Sequence, residues 1–151
     1  MGITNTAGIG SFSGTSLAIG GIVDAFTALG DGLDDGGGVA ANRTVAGTLR
    51  KRVETSAAVM IWQGNVVNGT VAGFPARSST AVASGNLIIG SWDKLTLATW
   101  NGGIEIMVNP YGDPITAPNN FKMGIVGIRC FCSLDVGLSF PSAFTVATAV
   151  T

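Results

Sequence analysis

The sequence predicts an α+β domain, a mixed β-sheet with two or more packed helices. Between residues 17 and 52, apolar residues recur every three or four positions, which is the spacing of a helix with one buried face. From about residue 55 onward, apolar residues form short runs or alternate with polar ones, and Gly and Asn separate the runs, as in strands joined by turns. A chain of 151 residues with this order fits one domain with one core.

Two helices are predicted in the first third of the chain, after a Gly- and Ser-rich entry loop over residues 1–16. The first spans residues 17–29 and ends at Gly30, with an apolar face formed by Ile19, Ile22, Val23, Phe26 and Leu29. The second spans residues 43–52 after Asn42 as its N-cap, with an apolar face formed by Val45, Leu49 and Val53.

Strands are predicted over the rest of the chain, at residues 58–62, 70–76, 87–89, 95–100 and 104–108. The Asn68-Gly69 pair is expected to form a turn before the second of these, and Asn101-Gly102-Gly103 to form a hairpin turn between the last two. We expect the helices to pack against the sheet that contains the last three strands. A long extended run then covers residues 122–140, and because it exceeds the usual strand of about 5 to 6 residues, it is expected to serve two sheets in succession.

Two cysteines, Cys130 and Cys132, are two residues apart on this run, so both side chains point to the same face of a strand. We expect buried free thiols, since neighbours on one face are poorly placed for a mutual disulfide. The chain has no histidine, and two cysteines cannot supply the four ligands of a structural zinc site. The acidic residues at 31–35 lack the spacing of a calcium loop, so no metal site is predicted.

Composition points to self-association. Charged residues make up 11% of the chain, hydrophobic residues 46%, and the mean hydropathy is +0.47. Soluble proteins have about 25% charged residues, so an isolated copy of this chain has little charge to cover its surface. The alternative is an ordinary domain that is simply rich in Gly and Ala.

Charge gives no indication of a nucleic-acid or membrane partner. The net charge is -1, and the one basic run, Arg50-Lys51-Arg52, fits a helix C-terminus, where cations favour the helix dipole. No apolar run reaches the length of about 18 residues that spans a bilayer, and the start of the chain lacks a signal peptide's basic region. We therefore expect a soluble, intracellular protein without sequence-specific nucleic-acid binding.

Catalytic and cofactor motifs are also missing from the sequence. General acid–base catalysis needs a group that titrates near neutral pH, and the chain has no histidine, nine carboxylates and no nucleophile elbow or paired-acid motif. Gly8-Ile9-Gly10 begins like a dinucleotide-binding loop, but Ser13 stands at the third glycine's position and no apolar strand precedes it. The sequence therefore predicts no enzyme, no cofactor and no small-molecule ligand.

Several short motifs, in their order and spacing, resemble the C-terminal part of the major capsid proteins of tailed bacteriophages, a shell fold also used by encapsulins. They are Gly2–Ile9, Trp62-Gln63-Gly64-Asn65, Gly73-Phe74-Pro75-Ala76, Ile88-Ile89-Gly90-Ser91-Trp92, Trp100-Asn101-Gly102-Gly103, Asn109-Pro110-Tyr111, and Asp135 followed by Pro141-Ser142-Ala143-Phe144. The resemblance implies that residues 9–130 form the axial domain, which clusters round the five- and six-fold axes of a shell. Residues 1–8 and 131–151 would belong to the peripheral domain.

The resemblance implies a structural role. The subunit would assemble with copies of itself into the pentamers and hexamers of an icosahedral phage or prophage capsid that encloses DNA, built in the cytoplasm of a bacterial host. An encapsulin-like compartment shell is the first alternative, and a small ligand-binding α+β module is the second. The family's N-terminal arm, extended loop and spine helix have no counterpart here, so we expect a fragment. Some relatives form a lysine–asparagine cross-link, but Gly124 and Phe131 stand at the matching positions, so no such chemistry is implied.

Six residues are predicted to anchor the fold or an interface: Trp92, Trp100, Gly102, Gly103, Pro141 and Phe144. Each of the two tryptophans adjoins a turn from which its ring can pack on the sheet, so they are expected to be core or interface anchors. In the complete protein, the second half of the long run, after residue 133, is expected to pair with strands from the missing upstream half, so its native partner would be absent from this chain. We expect it either to pair with residues 1–8 and another copy or to be the most mobile region.

Overall fold

The structure is a computed structural model that describes residues 3–30, 36–53, 59–109, 124 and 126–151. The described residues form two α-helices, α1 (Ile19–Ala28) and α2 (Arg43–Lys51). The same residues form nine strands, which are β1 (Gly10–Ser13), β2 (Gly37–Ala41), β3 (Trp62–Gly64), β4 (Asn68–Val71), β5 (Phe74–Ser78), β6 (Leu87–Ser91), β7 (Leu95–Asn109), β8 (Gly127–Leu138) and β9 (Phe144–Thr148). The predicted α+β class is confirmed, and both helices lie within the predicted ranges.

The chain divides into two compact units. The sheet unit comprises Met1–Thr96 and Leu138–Thr151, and the ribbon unit comprises Leu97–Gly137. The expected boundaries after residues 8 and 130 differ from these limits, and the assignment of segments to axial and peripheral domains remains a prediction. The acidic segment at 31–35 and residues 110–118 lie outside the described residues.

The sheet unit contains a seven-stranded mixed sheet with the order β1-β9-β6-β2-β5-β4-β3. Two neighbouring pairs, β1 with β9 and β2 with β5, are parallel, and the other pairs are antiparallel. Strand β9 lies between β1 and β6, so the last strand of the chain is an interior strand of the sheet. The expectation that residues after 133 lack a partner in this chain was therefore wrong.

Both helices pack on one face of this sheet. Val39 of β2 lies opposite Ile89 of β6, and the two side chains belong to the same buried cluster as Ile22 of α1 and Leu49 of α2. Burial of an apolar side chain of this size contributes about 1.5 to 3 kcal/mol, so this layer is the main source of stability. The other face has a second buried cluster formed by Ile88, Ala143, Phe144 and Val146.

Asn42 is the N-cap of α2, as predicted. Its side chain accepts hydrogen bonds from the Thr44 backbone N–H at 3.0 Å and the Thr44 hydroxyl at 2.7 Å. The same side chain donates through Nδ2 to the carbonyl of Val82 at 2.5 Å. Asn42 therefore fixes the start of α2 and ties it to the segment before β6.

Two predicted turns are not found where they were expected. Asn68-Gly69 lies inside β4, and the chain reverses at Ala72-Gly73, whose φ angles of 53° and 86° match a two-residue turn with both central residues left-handed. At Asn101-Gly102-Gly103 the chain does not reverse, because β7 continues through it as one 15-residue strand. Gly102 and Gly103 have positive φ angles of 74° and 100°, which glycine adopts without steric cost. These angles distort β7 but do not end it.

Strands β7 and β8 form a separate two-stranded sheet, which we call the ribbon. The prediction that residues 95–108 lie in the helix-packed sheet was wrong, since β6 joins that sheet and β7 does not. The long run ends at Leu138, and a 3-10 turn at Pro141–Ala143 separates it from β9. Cys130 and Cys132 are free, as predicted, but they are exposed, because on the ribbon they have no second layer of side chains in the described chain.

Candidate assembly interface

The Phe144 ring of the second cluster contacts both Trp92 and Gly90. Phe144 is fully buried, and its ring packs edge-on against the Trp92 indole, with centroids 5.7 Å apart and planes at 86°. Gly90 lies opposite Phe144 in the β6–β9 register, and a Cβ atom on Gly90 would overlap the Phe144 ring. The backbone N–H of Trp92 donates to the Gly36 carbonyl at 3.0 Å, which holds the start of the Trp92–Lys94 turn against β2.

A groove of about 390 Å³ adjoins Trp92 in the sheet unit. Its lining is mainly apolar, with a single charged residue, and consists of Gly36, Gly37, Gly38, Val39, Ala40, Pro75, Arg77 and Trp92. A Cβ atom on Gly38 would lie 3.0 Å from the indole Cδ1 and 3.2 Å from the Pro75 carbonyl oxygen. The absence of a side chain at Gly38 therefore allows the indole to lie against β2 beside the groove.

Pro141 marks the point where the chain leaves the ribbon for the sheet. It occupies the first turn of the Pro141–Ala143 3-10 helix, where its missing N–H costs nothing. Phe140 before it is extended, with φ -133° and ψ 94°, as expected for a residue that precedes proline. Pro141 thus begins the turn that separates the extended run, which ends at Leu138, from β9.

Trp100, Gly102 and Gly103 lie on β7 in the ribbon unit, so the structure does not gather the six predicted anchors into one cluster. Trp100 is 54% exposed, so it is not a core residue of the described chain. Its predicted role as an interface anchor stays a prediction. Trp92, Pro141 and Phe144 lie in the sheet unit.

Most of the exposed large apolar side chains of the described chain are on or next to the ribbon. They are Leu97, Trp100, Ile104, Ile106, Met107, Val108, Val126, Ile128 and Leu134. Ile104 and Ile106 lie on the same face of β7, and Ile128 and Leu134 lie on the same face of β8. Large exposed apolar side chains concentrated on one element of a protein favour an interaction site there.

Trp62, the most deeply buried tryptophan, was not among the predicted anchors. Trp62 begins β3, is fully buried, and donates from Nε1 to the carbonyl of Asn65 at 2.8 Å. The sequence offered a signal, because Trp62 ends the apolar run Val59-Met60-Ile61. We predicted Trp62 as the last residue of the strand at 58–62, leading into a turn at Gly64 and Asn65, whereas it is the first residue of β3.

Asp93 is a titratable residue of the sheet unit whose pKa is lowered by its surroundings. The Ser91 hydroxyl donates to the Asp93 carboxylate at 2.6 Å. This hydrogen bond lowers the pKa of Asp93 below its ordinary value. Desolvation opposes it, and the Lys94 ammonium, 3.7 Å from the carboxylate, lowers the pKa further. The Asp93 carboxylate therefore stabilises the turn between β6 and β7.

Groups suited to metal binding do not cluster in the part of the chain that the structure describes, where no three His, Cys, Asp or Glu side chains lie together. None of the helices described is long and apolar enough to cross a membrane. What the described surface offers for interaction is therefore the apolar ribbon, the groove beside Trp92 and the charged outer face of α2.

Solved structures with the same fold come from viral and virus-like particles. A structure from Gordonia phage Cozz matches with a TM-score of 0.67 and 18% identity, over 98% of this chain and 51% of its own. The virus-like particle from Pyrococcus furiosus matches with a TM-score of 0.66 and 15% identity, over 96% and 58%. The capsid of a native GTA particle matches with a TM-score of 0.67 and 16% identity, over 95% and 50%.

This chain spans about half the length of those relatives. No curated protein sequence matches it significantly. The model of the phage capsid family, however, matches residues 1–149, which is nearly the whole sequence. The chain belongs to the phage capsid family.

Proposed function

We propose that this chain is part of the structural subunit of a phage or prophage capsid. The subunit assembles with copies of itself into pentamers and hexamers of an icosahedral shell that encloses DNA. The match of the capsid family over residues 1–149 carries the proposal. The subunit would be made in the cytoplasm of a bacterial host and would end in the virion, with no catalytic residue, cofactor or membrane partner.

The ribbon supports self-association. Its exposed side chains include Ile128 at 71%, Ile104 at 68% and Ile106 at 65%, and covering such side chains removes apolar area from water at about 25 cal/mol per Å². The low content of charged residues, 11%, is also typical of a chain whose surface is covered in an assembly. We propose the ribbon and Trp100 as a contact surface within the shell.

Expression of the complete gene from which the chain comes tests the proposal. Electron microscopy should show closed, regular particles, and light scattering should show assemblies far larger than a monomer. An I104S/I106S double variant should shift protein from particles to small species, whereas Val23→Ser, on the exposed side of α1, should assemble normally. A monodisperse monomer at every concentration would contradict the proposal.

An encapsulin-like compartment shell is the second candidate, favoured by the likeness to the Pyrococcus furiosus virus-like particle. The contents of purified particles separate the two candidates. Nucleic acid inside the particles supports a capsid, and a protein cargo with no nucleic acid supports a compartment. Neighbouring genes for a portal, protease and terminase would also support the capsid.

A further inference from the structure

Helix α2 carries three cationic side chains on one exposed face. Arg50 and Lys51 are seven and eight residues after Arg43, so all three lie within an arc of about 100° and a length of about 12 Å. The opposite face of the helix is buried in the core and carries Val45, Ala46 and Leu49. Gly47 lies between the three cations, and a Cβ atom there would meet open space.

None of these three side chains makes a hydrogen bond or ion pair with another described residue. Arg52 contrasts with them, since its guanidinium donates to the carbonyl of Leu17 at 2.7 Å and to the carbonyl of Thr151. Within the run Arg50-Lys51-Arg52, only Arg52 therefore has a hydrogen-bond partner among the described residues.

Arg43 is the informative member of the three. It is the first residue of α2, directly after the Asn42 cap, and the first turn has no acidic residue. A cation at a helix N-terminus opposes the helix dipole, whereas Arg50 and Lys51 in the last turn agree with it. An unfavourable charge that lies on the same face as two favourable ones indicates an anionic partner outside the chain.

We infer that the face of α2 formed by Arg43, Arg50 and Lys51 binds the phosphate backbone of the double-stranded DNA inside the shell. This inference rests on the proposed capsid function, and it places this face of α2 towards the enclosed DNA. Two of the three cations are arginines, whose planar guanidinium matches phosphate oxygens in a bidentate geometry. Contacts of this kind carry no sequence information, in agreement with the expectation of no sequence-specific binding.

The acidic surface of a second copy is the competing partner. The carboxylates of the described residues are Asp24, Asp93, Glu105 and Asp135, and the described chain has no cluster of three acidic side chains. Asp93 is already bonded to Ser91. A neighbouring copy therefore offers no matching acidic face among these residues, whereas DNA carries regularly spaced phosphates.

Binding by one copy will be weak, because only three phosphates are neutralised. Counterion release predicts that the logarithm of the association constant falls with the logarithm of salt concentration with a slope of about -2.7 for three contacts. Many copies acting on one DNA molecule strengthen the interaction through effective concentration. A weak and salt-sensitive single site is thus the expected signature in solution.

Fluorescence anisotropy with a labelled DNA duplex of arbitrary sequence, titrated with the chain at several low salt concentrations, tests the inference. The triple variant R43Q/R50Q/K51Q should lose most of the affinity and nearly all of the salt dependence. Arg77→Gln, which removes an exposed arginine of β5, is the matched control and should bind like the unmodified chain. Circular dichroism confirms that each variant is folded.

Gly47→Lys provides a gain-of-binding test, because its Cβ fits without contact and a fourth cation joins the face. The slope should become steeper by about 0.9. Unchanged binding in the folded triple variant, or no binding by the unmodified chain at the lowest salt, overturns the inference. Stronger binding to polyglutamate than to DNA also overturns it and points to an acidic protein surface. Particle formation by the complete triple variant separates the two proposals, since particles without DNA binding leave the capsid function intact.

Discussion

The ring of Phe144 lies against the backbone of Gly90, which faces it from the neighbouring strand, so closely that a Cβ atom on Gly90 would overlap the ring. The Trp92 indole meets the same ring edge-on at 5.7 Å. Gly90 is therefore required for space, since its φ is not in the left-handed region. This contact joins the last strand of the chain to the middle of the sheet.

Gly90→Ala should lower the free energy of unfolding by about 1 to 3 kcal/mol, because the added methyl group must displace a buried ring. Urea unfolding measures the change. Phe144→Ala should cost about 3 to 5 kcal/mol, and Gly90→Ala should then add little, because the ring is gone. Gly20→Ala in α1 is the control, and it should raise stability by about 0.5 to 1 kcal/mol, because its Cβ meets no atom. Equal costs of Gly90→Ala with and without the ring would contradict the packing argument.

Asn42→Ala should lower stability by about 1 kcal/mol through loss of the N-cap alone. The further loss of the bond to the Val82 carbonyl should bring the cost above that of an ordinary cap. Asn42→Asp keeps an acceptor for the Thr44 N–H but cannot donate to Val82, so its cost isolates the second bond. Thermal or urea unfolding of both variants checks this, and an Asp variant less stable than the Ala variant would refute the cap.

Asp93 should make the protein sensitive to acid. Because the folded pKa is lowered below the ordinary value of 3.8, the ionised carboxylate stabilises the fold at all pH values above that point. That contribution is lost as the pH falls from about 4 through the lower folded pKa. An NMR titration of the Asp93 carboxyl group should show the lowered midpoint, and Ser91→Ala should move it upward. A midpoint unchanged by Ser91→Ala would show that the hydrogen bond is not the main cause.

Substitution of two tryptophans should have different effects on stability. Trp62→Ala should destabilise the chain by about 3 to 5 kcal/mol, since Trp62 is fully buried. Trp100→Ala should leave the unfolding midpoint of the dilute chain nearly unchanged, because Trp100 is 54% exposed. The same variant should reduce self-association in analytical ultracentrifugation of the complete subunit. Assembly that is insensitive to Trp100→Ala would remove this residue from the proposed interface.

Cys130 and Cys132 should react with Ellman's reagent in the native, dilute chain without denaturant, because both are exposed on β8. Single variants, Cys130→Ser and Cys132→Ser, should each retain one reactive thiol. Reaction that requires unfolding would show that the ribbon is covered. Protection that appears only in assembled particles would instead indicate that this face of β8 lies in a contact between subunits.

The helices and the buried strand β6 could be predicted from the sequence because their signals are local. Helical spacing and the Asn42 cap define α2, and the run Leu87-Ile88-Ile89 is apolar at every position, as expected for an interior strand. The partner of β9 could not be predicted, because pairing between residues far apart in sequence leaves no local pattern. Phe144 and Val146 are ordinary strand residues, and nothing near them indicates that β1 and β6 are their neighbours.

Glycine was the main source of error in the candidate site. Asn101-Gly102-Gly103 has the composition of a hairpin turn, and both glycines do adopt positive φ, yet β7 continues through them. Glycine allows the chain to reverse at Gly73, whereas at Gly102 it only distorts a strand that continues. Which of the two occurs depends on the strands with which the flanking residues pair. The basic face of α2 was missed because Arg43 and Arg50 are adjacent only on the folded helix.

The interior position of β9 has a consequence for the order of folding. Strands β1 and β6 are made early, but the strand that joins them is residues 144–148, more than fifty residues after β6. On the ribosome, the sheet therefore stays incomplete until this segment has left the exit tunnel, and closing so long a loop slows its formation. Until residues 144–148 have been synthesised, β1 and β6 lack the strand that joins them, and the backbone groups on that side of each strand have no sheet partner.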